Sequence, residues 1–286
     1  MGRHGGTVVS TPPAPSLGGR FVHHTLDLFE RCRVAQEPDG SPARFRLTAA
    51  ALLAVAAVRA ADPGILESKE AAQTLGVTLD AILAGERCAP DNEPRAPGNT
   101  THLSVVDAAG NAAAITLSHG EGNGHAVGDT GILMNNFLGE SDLFPAGFFR
   151  IPPGTPIATM MAPTILQFPD GGVAALGTGG ANRIRTVIPQ VVTRLLDPSA
   201  NLGSAVAAPR LHVESNVLSA ETFQFGGDDT PFDKARTLVD KHSFFDRPSL
   251  FFGGVHIAVR RPNGELEGVA DNRRGGVCRI VEEVGG

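Results

Sequence analysis

An abrupt change of texture at residue 100 restricts what this 286-residue chain can fold into more than any other feature. The stretch Glu86 to Asn99 holds Pro90, Pro94, Pro97, Gly98 and mixed charges with almost no apolar residue, so it reads as a linker. Before it the apolar residues repeat at helical spacing; after it they alternate as in strands. Upstream, Val8 to Gly19 reads as a loop, because Pro12, Pro13, Pro15, Gly18 and Gly19 interrupt it. Val22, Leu26 and Phe29 then place Phe21 to Cys32 on a helix. Leu47 to Ala61 reads as an Ala-rich buried helix, and Ser68 to Gly85 as two short helices parted near Gly76. Downstream, Thr101 to Asp107 alternates with Leu103 and Val105 on one face, and Ala112 to Ser118 returns as its hairpin partner. Thr164–Phe168 with Val173–Leu176, and Val255–Val259 with Leu266–Ala270, read as two further hairpins. The sharpest helical period runs through Ile184, Val187, Ile188, Val191, Val192, Leu195 and Leu196, with Pro189 predicting a kink or a later start. A further helix is expected around Phe232 to Lys241. Strand pairs with intervening helices predict an α+β fold.

Composition excludes several classes. The net charge of −6, with no basic run, argues against nucleic-acid or polybasic membrane binding. The 35 glycines and 21 prolines are about a fifth of the chain, yet 42% hydrophobic content suffices for a core. The absence of Trp and Tyr weakens any stacking-based binder. Cys32, Cys88 and Cys278 form no CxxC pair, and no two of the nine histidines have ligand spacing on a helix or hairpin. The longest apolar run, Leu47 to Val58, is too short to span a bilayer, which takes about 20 residues. With no signal peptide visible, a cytoplasmic location is expected. Gly120 to Gly124 has Rossmann-like glycines, but no helix follows to complete a dinucleotide site.

Two places could carry chemistry. One is Pro97 to His102, a linker running straight into a strand. A threonine hydroxyl needs a base to act as a nucleophile. If the chain is cut before Thr100, the new α-amine, with a pKa near 7.7–8.0, lies beside that hydroxyl and can serve. A threonine at a strand start is also ordinary. The other is Gly177-Thr178-Gly179-Gly180-Ala181-Asn182-Arg183, between a strand and a helix. Small residues there let backbone N–H groups converge on an anion, as an oxyanion hole requires. A tight turn explains the same residues.

Taken in order, several segments resemble the gamma-glutamyltranspeptidases, which are N-terminal-nucleophile hydrolases. Thr100 to Asp107 is similar to that family's processing site and first strand. Gly131 to Asn136 is similar to its substrate loop, Met161 to Ile165 to the strand after its paired serines, and Gly177 to Ile184 to its oxyanion glycines. Ala208 to His212, Asp271 to Arg274 and the proline-rich Val8 to Gly19 resemble further signatures. The resemblance spans nearly the whole chain.

It implies a four-layer αββα sandwich lacking the N-terminal part of the family fold. Residues 1–99 would be the C-terminal part of a large-subunit-like segment, and 100–286 a small-subunit-like catalytic segment. It implies a precursor cut between Asn99 and Thr100, with Thr100 as nucleophile, Ser118 beside it, and Gly179, Gly180 and Ala181 supplying the oxyanion donors. Asn136 and Glu140, and Thr159 and Met160 at the place of the paired serines, would bind substrate. No metal or organic cofactor is implied. The expected partners are a small amide or gamma-glutamyl substrate, the chain's own cleaved fragments and a separately encoded N-terminal half, with no nucleic acid or membrane.

Three departures point away from a plain gamma-glutamyl pocket. Gly120 stands where many members carry an asparagine. Phe137 stands where a polar binder is common. Thr159 and Met160 replace the paired serines, leaving one hydroxyl. These features are also compatible with a branch that includes carbon–carbon bond hydrolases of antibiotic pathways, or with a catalytically incomplete remnant or split-enzyme subunit.

Overall fold

The computed structural model describes residues 1–62, 64–86, 100–140, 143–144, 147–197 and 200–281. The linker from residue 87, and with it Asn99, lies outside the described residues.

The chain opens with two short strands, β1 (Gly2–His4) and β2 (Thr7–Ser10), and helix α1 (Leu17–Arg31). Part of the segment expected to be loop is therefore strand and helix. Val9 is completely buried in β2. Gly18 and Gly19 do not break α1; they let it dock. A Cβ on Gly18 would stand 2.0 Å from the Met160 carbonyl oxygen. The Leu17 and Gly18 amides donate to the Thr159 carbonyl at 2.9 and 3.1 Å, which satisfies two N–H groups of the first turn.

Helix α2 (Pro42–Ala61) starts at a Ser41 cap whose side chain accepts from the Arg44 amide. Apolar on most sides, it is wrapped by α1, by α3 (Ala71–Leu83) and by later strands. α3 is one helix where two were expected. Gly76 costs about 1 kcal/mol relative to alanine, but its bare Cα faces the Arg31 guanidinium, where a Cβ would come to 3.3 Å.

After the linker come the hairpin β3 (Thr100–Val106) and β4 (Ala112–Ser118), then β5 (Thr164–Gln167) and β6 (Val173–Gly177). Helix α4 (Ile184–Leu195) runs through Pro189 without a later start, because eleven of its twelve residues are buried and packing outweighs the lost backbone bond. The chain continues through α5 (Leu202–Ala207), β7 (Leu211–Glu214), β8 (Val217–Glu221), α6 (Asp233–Arg236), β9 (Lys241–Phe245), β10 (His256–Arg260) and β11 (Leu266–Val269). The helix expected over 232–241 shrinks to the single turn α6, and Lys241 already belongs to β9. Phe232 is drawn into the α2 core, stacked on Phe45 with ring centroids 4.2 Å apart.

The main sheet is antiparallel in the order β1-β2-β5-β6-β10-β11, and a smaller sheet has the order β7-β8-β9. Helices α1 and α4 cover one face of the main sheet through Val22, Leu26, Val187 and Val191 against Leu166, Leu176 and Ile257. The β3–β4 hairpin lies across the other face, over β6 and β10. Both cores draw on residues from before and after the linker. The stack is helices, sheet, sheet: three layers of an αββα sandwich. Among the described residues no helix covers the outer face of the hairpin, where Leu103 is 57% and Leu117 61% exposed, flanked by Val105 and Ile115. The hairpin is thus apolar outward and polar inward.

Candidate active site

The polar inner face is where the site begins. Thr100, the first residue of β3, pairs in register with Ser118, the last of β4. Thr100 is buried, and its Oγ1 lies 2.9 Å from Ser118 Oγ, which also accepts from the Gly120 amide at 3.0 Å. Thr101 points outward, as its place in the alternation requires. Two residues along, His102 bridges Thr116 Oγ1 and Ser104 Oγ, each at 2.8 Å, and Ser104 donates to the His256 carbonyl. Burial, with the neighbouring His256 adding to it, pushes His102 down to about 4, so the ring is neutral near pH 7. Its space exists only because residue 177 is glycine: a Cβ there would lie 2.3 Å from the ring.

The glycine-rich turn follows directly on β6. A Cβ on Gly179 would stand 2.2 Å from the Thr100 carbonyl oxygen, so the turn touches the backbone at the head of β3. Gly180 (φ 131°) and Ala181 (φ 49°) both adopt positive φ before the short turn Ala181–Arg183 enters α4. Thr178 braces the turn, its Oγ1 donating to the Gly179 carbonyl (2.7 Å) and accepting from the Gly254 amide (2.8 Å). Asn182 Nδ2 donates to Glu214 Oε1 at 2.7 Å, and the other Glu214 oxygen lies 3.3 Å from His212 Nε2. Burial alone would raise the Glu214 pKa, but the His212 hydrogen bond, His212 itself, Arg185 and Asn182 hold it at about 2.

An open cleft lies over Thr100. Thr100, Ser118, Ala181, Glu140, Thr159 and Met160 line it together. Gly179 and Gly180 form the turn behind this wall. Asn136 is also behind it; its Oδ1 accepts from the Glu121 and Gly122 amides at 2.7 and 3.1 Å and fixes the loop. Thr159 Oγ1 accepts from the Met161 amide, and its carbonyl holds the start of α1. Sequence reasoning did not place Asn182, Met161, Leu143, Ile184 or Glu121 here. Asn182 and Ile184 belong to the glycine-turn segment and Met161 follows Thr159 and Met160, usable signals, whereas Leu143 carries none. The apolar wall is substantial: Phe137, Leu143, Met160, Met161 and Ile184. At Gly120 (φ 65°) a Cβ would lie 1.9 Å from Glu140 Oε1 and 2.4 Å from Asn136 Oδ1, so a side chain there would require the Glu140 and Asn136 side chains to move. Among the described residues, no helix is long and apolar enough to cross a membrane.

A buried hydroxyl heading a strand between two stacked sheets, with a glycine turn against its carbonyl, is the layout of an N-terminal-nucleophile hydrolase. The sequence model of the gamma-glutamyltranspeptidase family matches residues 2–281, and the chain belongs to that family. It is 30% identical to an acylase ACY 1 proenzyme of Pseudomonas sp. (strain SE83), over 94% of this chain and 49% of that one. It is 27% identical to a glutathione hydrolase proenzyme of Bacillus subtilis (strain 168), over 97% and 51%. The chain thus spans about half the length of these relatives. Among solved structures, it is similar to a gamma-glutamyltranspeptidase from Pseudomonas nitroreducens complexed with L-DON. That match has TM-score 0.52 and 26% identity and covers 64% of this chain and all of that one. A cephalosporin acylase from Bacillus halodurans shares the fold with TM-score 0.66 at 20% identity, over 94% of this chain and 50% of that one.

Proposed function

We propose that this chain is a hydrolase or acyltransferase of the gamma-glutamyltranspeptidase type, cut between Asn99 and Thr100, with Thr100 as its N-terminal nucleophile. The observation that carries the reading is the buried Thr100 hydroxyl, 2.9 Å from Ser118 Oγ and facing the cleft it shares with Ala181 and Asn182. In the cutting step Thr100 Oγ1 attacks the Asn99 carbonyl. The peptide C–N bond breaks as the acyl group moves to oxygen, which frees the α-amine, and water then hydrolyses the ester, releasing the Thr100 hydroxyl and the Asn99 carboxylate. Two comparisons support this order. The relatives are named proenzymes. The whole Pseudomonas nitroreducens chain matches 64% of this one, and residues 100–286 are about 65% of it.

In turnover the α-amine takes the Thr100 hydroxyl proton as Oγ1 adds to the substrate amide carbonyl. The backbone of Gly179, Gly180 and Ala181 stabilises the oxyanion. The leaving amine departs with the proton, and water or an acceptor amine then takes the acyl group from Thr100. Glu140 suits an ammonium group on the substrate, while Phe137, Met160 and Met161 suit an apolar portion. The side chain that would hold an α-carboxylate at position 120 is missing. The preferred substrate is therefore an amide whose acyl part is less polar than gamma-glutamyl.

A second reading is favoured by the exposed Leu103, Val105, Ile115 and Leu117 together with the half-length match. Here the chain works with a polypeptide equivalent to the other half of its relatives, seated on the outer face of the hairpin. Intact-mass analysis tests the first reading: wild type yields fragments 1–99 and 100–286 without added protease, Thr100→Ala stays whole, and Thr100→Ser still cuts. A Thr100→Ala chain that splits at the same bond refutes it. Hydrolysis of a chromogenic gamma-glutamyl anilide is expected to be weak for this chain alone. Co-expression with an upstream half restores activity if the second reading holds.

A further inference from the structure

Near the C-terminal end of α1, whose start contacts Thr159 and Met160, His4 at the end of β1 meets two carboxylates that α1 presents one turn apart, Asp27 and Glu30. We propose that these three residues bind one divalent transition-metal ion of the zinc class, clamping β1 to α1. Their ligand atoms all lie within 4.8 Å of one another. His4 is 2% exposed, and its Nδ1 has no hydrogen-bond partner. That nitrogen stands 3.7 Å from Asp27 Oδ1 and 3.7 Å from Glu30 Oε2.

This separation is the argument. It exceeds a hydrogen bond, which closes at about 2.7–3.2 Å. It is close to the roughly 3.3–3.6 Å between neighbouring ligand atoms of a tetrahedral ion with bonds of about 2.0–2.2 Å. A neutral imidazole lone pair aimed at two carboxylate oxygens is repulsive unless a positive charge stands between them. Imidazole with two carboxylates is a donor set that zinc accepts, with the fourth position left to water.

The supporting contacts are those expected around a metal ligand. His4 Nε2 lies 3.2 Å from His23 Nδ1, a contact that holds the ring in place. The second Glu30 oxygen accepts from the Gly5 amide at 2.7 Å, holding the carboxylate in place. Asp27 and Glu30 are 59% and 46% exposed, which leaves the site open to an ion from solvent. The proton is the rival occupant, since an imidazolium at His4 would also satisfy both carboxylates.

Zn²⁺ titration of the chelator-treated full chain by calorimetry separates the two. The expected result is a one-equivalent phase that Asp27→Asn and His4→Gln each weaken at least about tenfold, and that His23→Ala weakens by about 10–100-fold. Zinc should also raise the Tm of wild type and leave that of Asp27→Asn unchanged. Co²⁺ should give a visible d–d spectrum with wild type that Asp27→Asn lacks. Asp27 is half exposed, so that variant keeps the test valid if His4→Gln fails to fold. No one-equivalent phase in wild type, or unchanged binding in Asp27→Asn, overturns the site in favour of a protonated His4.

Discussion

Substituting Gly179 by alanine tests whether the glycine turn and the head of β3 form one rigid unit. The added Cβ would sit 2.2 Å from the Thr100 carbonyl oxygen and 2.9 Å from its carbon. Ordinary contact begins near 3.4 Å, so more than 1 Å must open. Gly179 has no positive φ, so the penalty is steric: chiefly this contact, with the flexible Arg274 Nη1 at 3.2 Å adding less. The Thr100 carbonyl cannot easily yield: its strand is paired to β4, and Arg274 Nη1 donates to that same oxygen at 3.3 Å. Overpacking of this kind costs about 1–3 kcal/mol. For a chain of this size that lowers Tm by roughly 2–12 °C. A shifted Thr100 should also slow self-cleavage, about tenfold for each 1.4 kcal/mol lost from its transition state. The matched control is Gly139→Ala, where a Cβ meets nothing within 4 Å and φ is ordinary. Thermal unfolding and time-resolved intact mass read both effects. Equal Tm and equal cleavage in the two variants would refute the close contact.

Three other outcomes are expected. His102 sits at about 4 when folded against 6.5 unfolded, so below about pH 6.5 the unfolded chain takes up a proton that the folded chain does not. Stability should fall as pH drops from 6.5 toward 4, by at most about 1.4 kcal/mol per pH unit for this group, and His102→Gln should flatten that slope in urea unfolding. Arg273→Ala removes the partner of Glu221, which is fully buried and held by two 2.7 Å bonds; urea unfolding should show a loss of about 3–5 kcal/mol, and a loss under 1 kcal/mol would contradict the burial. Leu103→Ser with Leu117→Ser removes two side chains from the exposed hairpin face, so binding of a hydrophobic dye should drop with Tm little changed; a large fall in Tm would mean that the face is packed.

Much of the fold was legible because its signals are local. Helix α4 declares itself through seven apolar residues at helical spacing, and the β3–β4 hairpin through its alternation and the turn at Ala108 to Asn111. Thr100 stood out because a proline-rich linker meets a strand there. Several departures share one cause, which is that glycine and proline were taken as breakers; the helix expected over 232–241 is a separate case, cut short because the chain turns into β9 at Lys241. Gly18 and Gly76 lie within helices because partners distant in the chain, Met160 and Arg31, need the room a side chain would fill. Pro189 survives inside α4 because burial on all sides offsets its missing donor.

The sequence by itself determined the α+β class and the change from helices to strands at residue 100, since each depends on neighbours within a few positions. Tertiary structure alone decided which residues meet. It brought Ser118, Glu140, Thr159 and Ala181 to one cleft over Thr100 and set Asn136 behind the wall as a loop staple. It turned the apolar face of the hairpin outward and the polar face onto the main sheet. It also put His4 against Asp27 and Glu30, a group that no local spacing announces. The physical reason is the same in each case: alternation and periodicity say which side chains share a face, and only the packing of whole layers says what that face will touch.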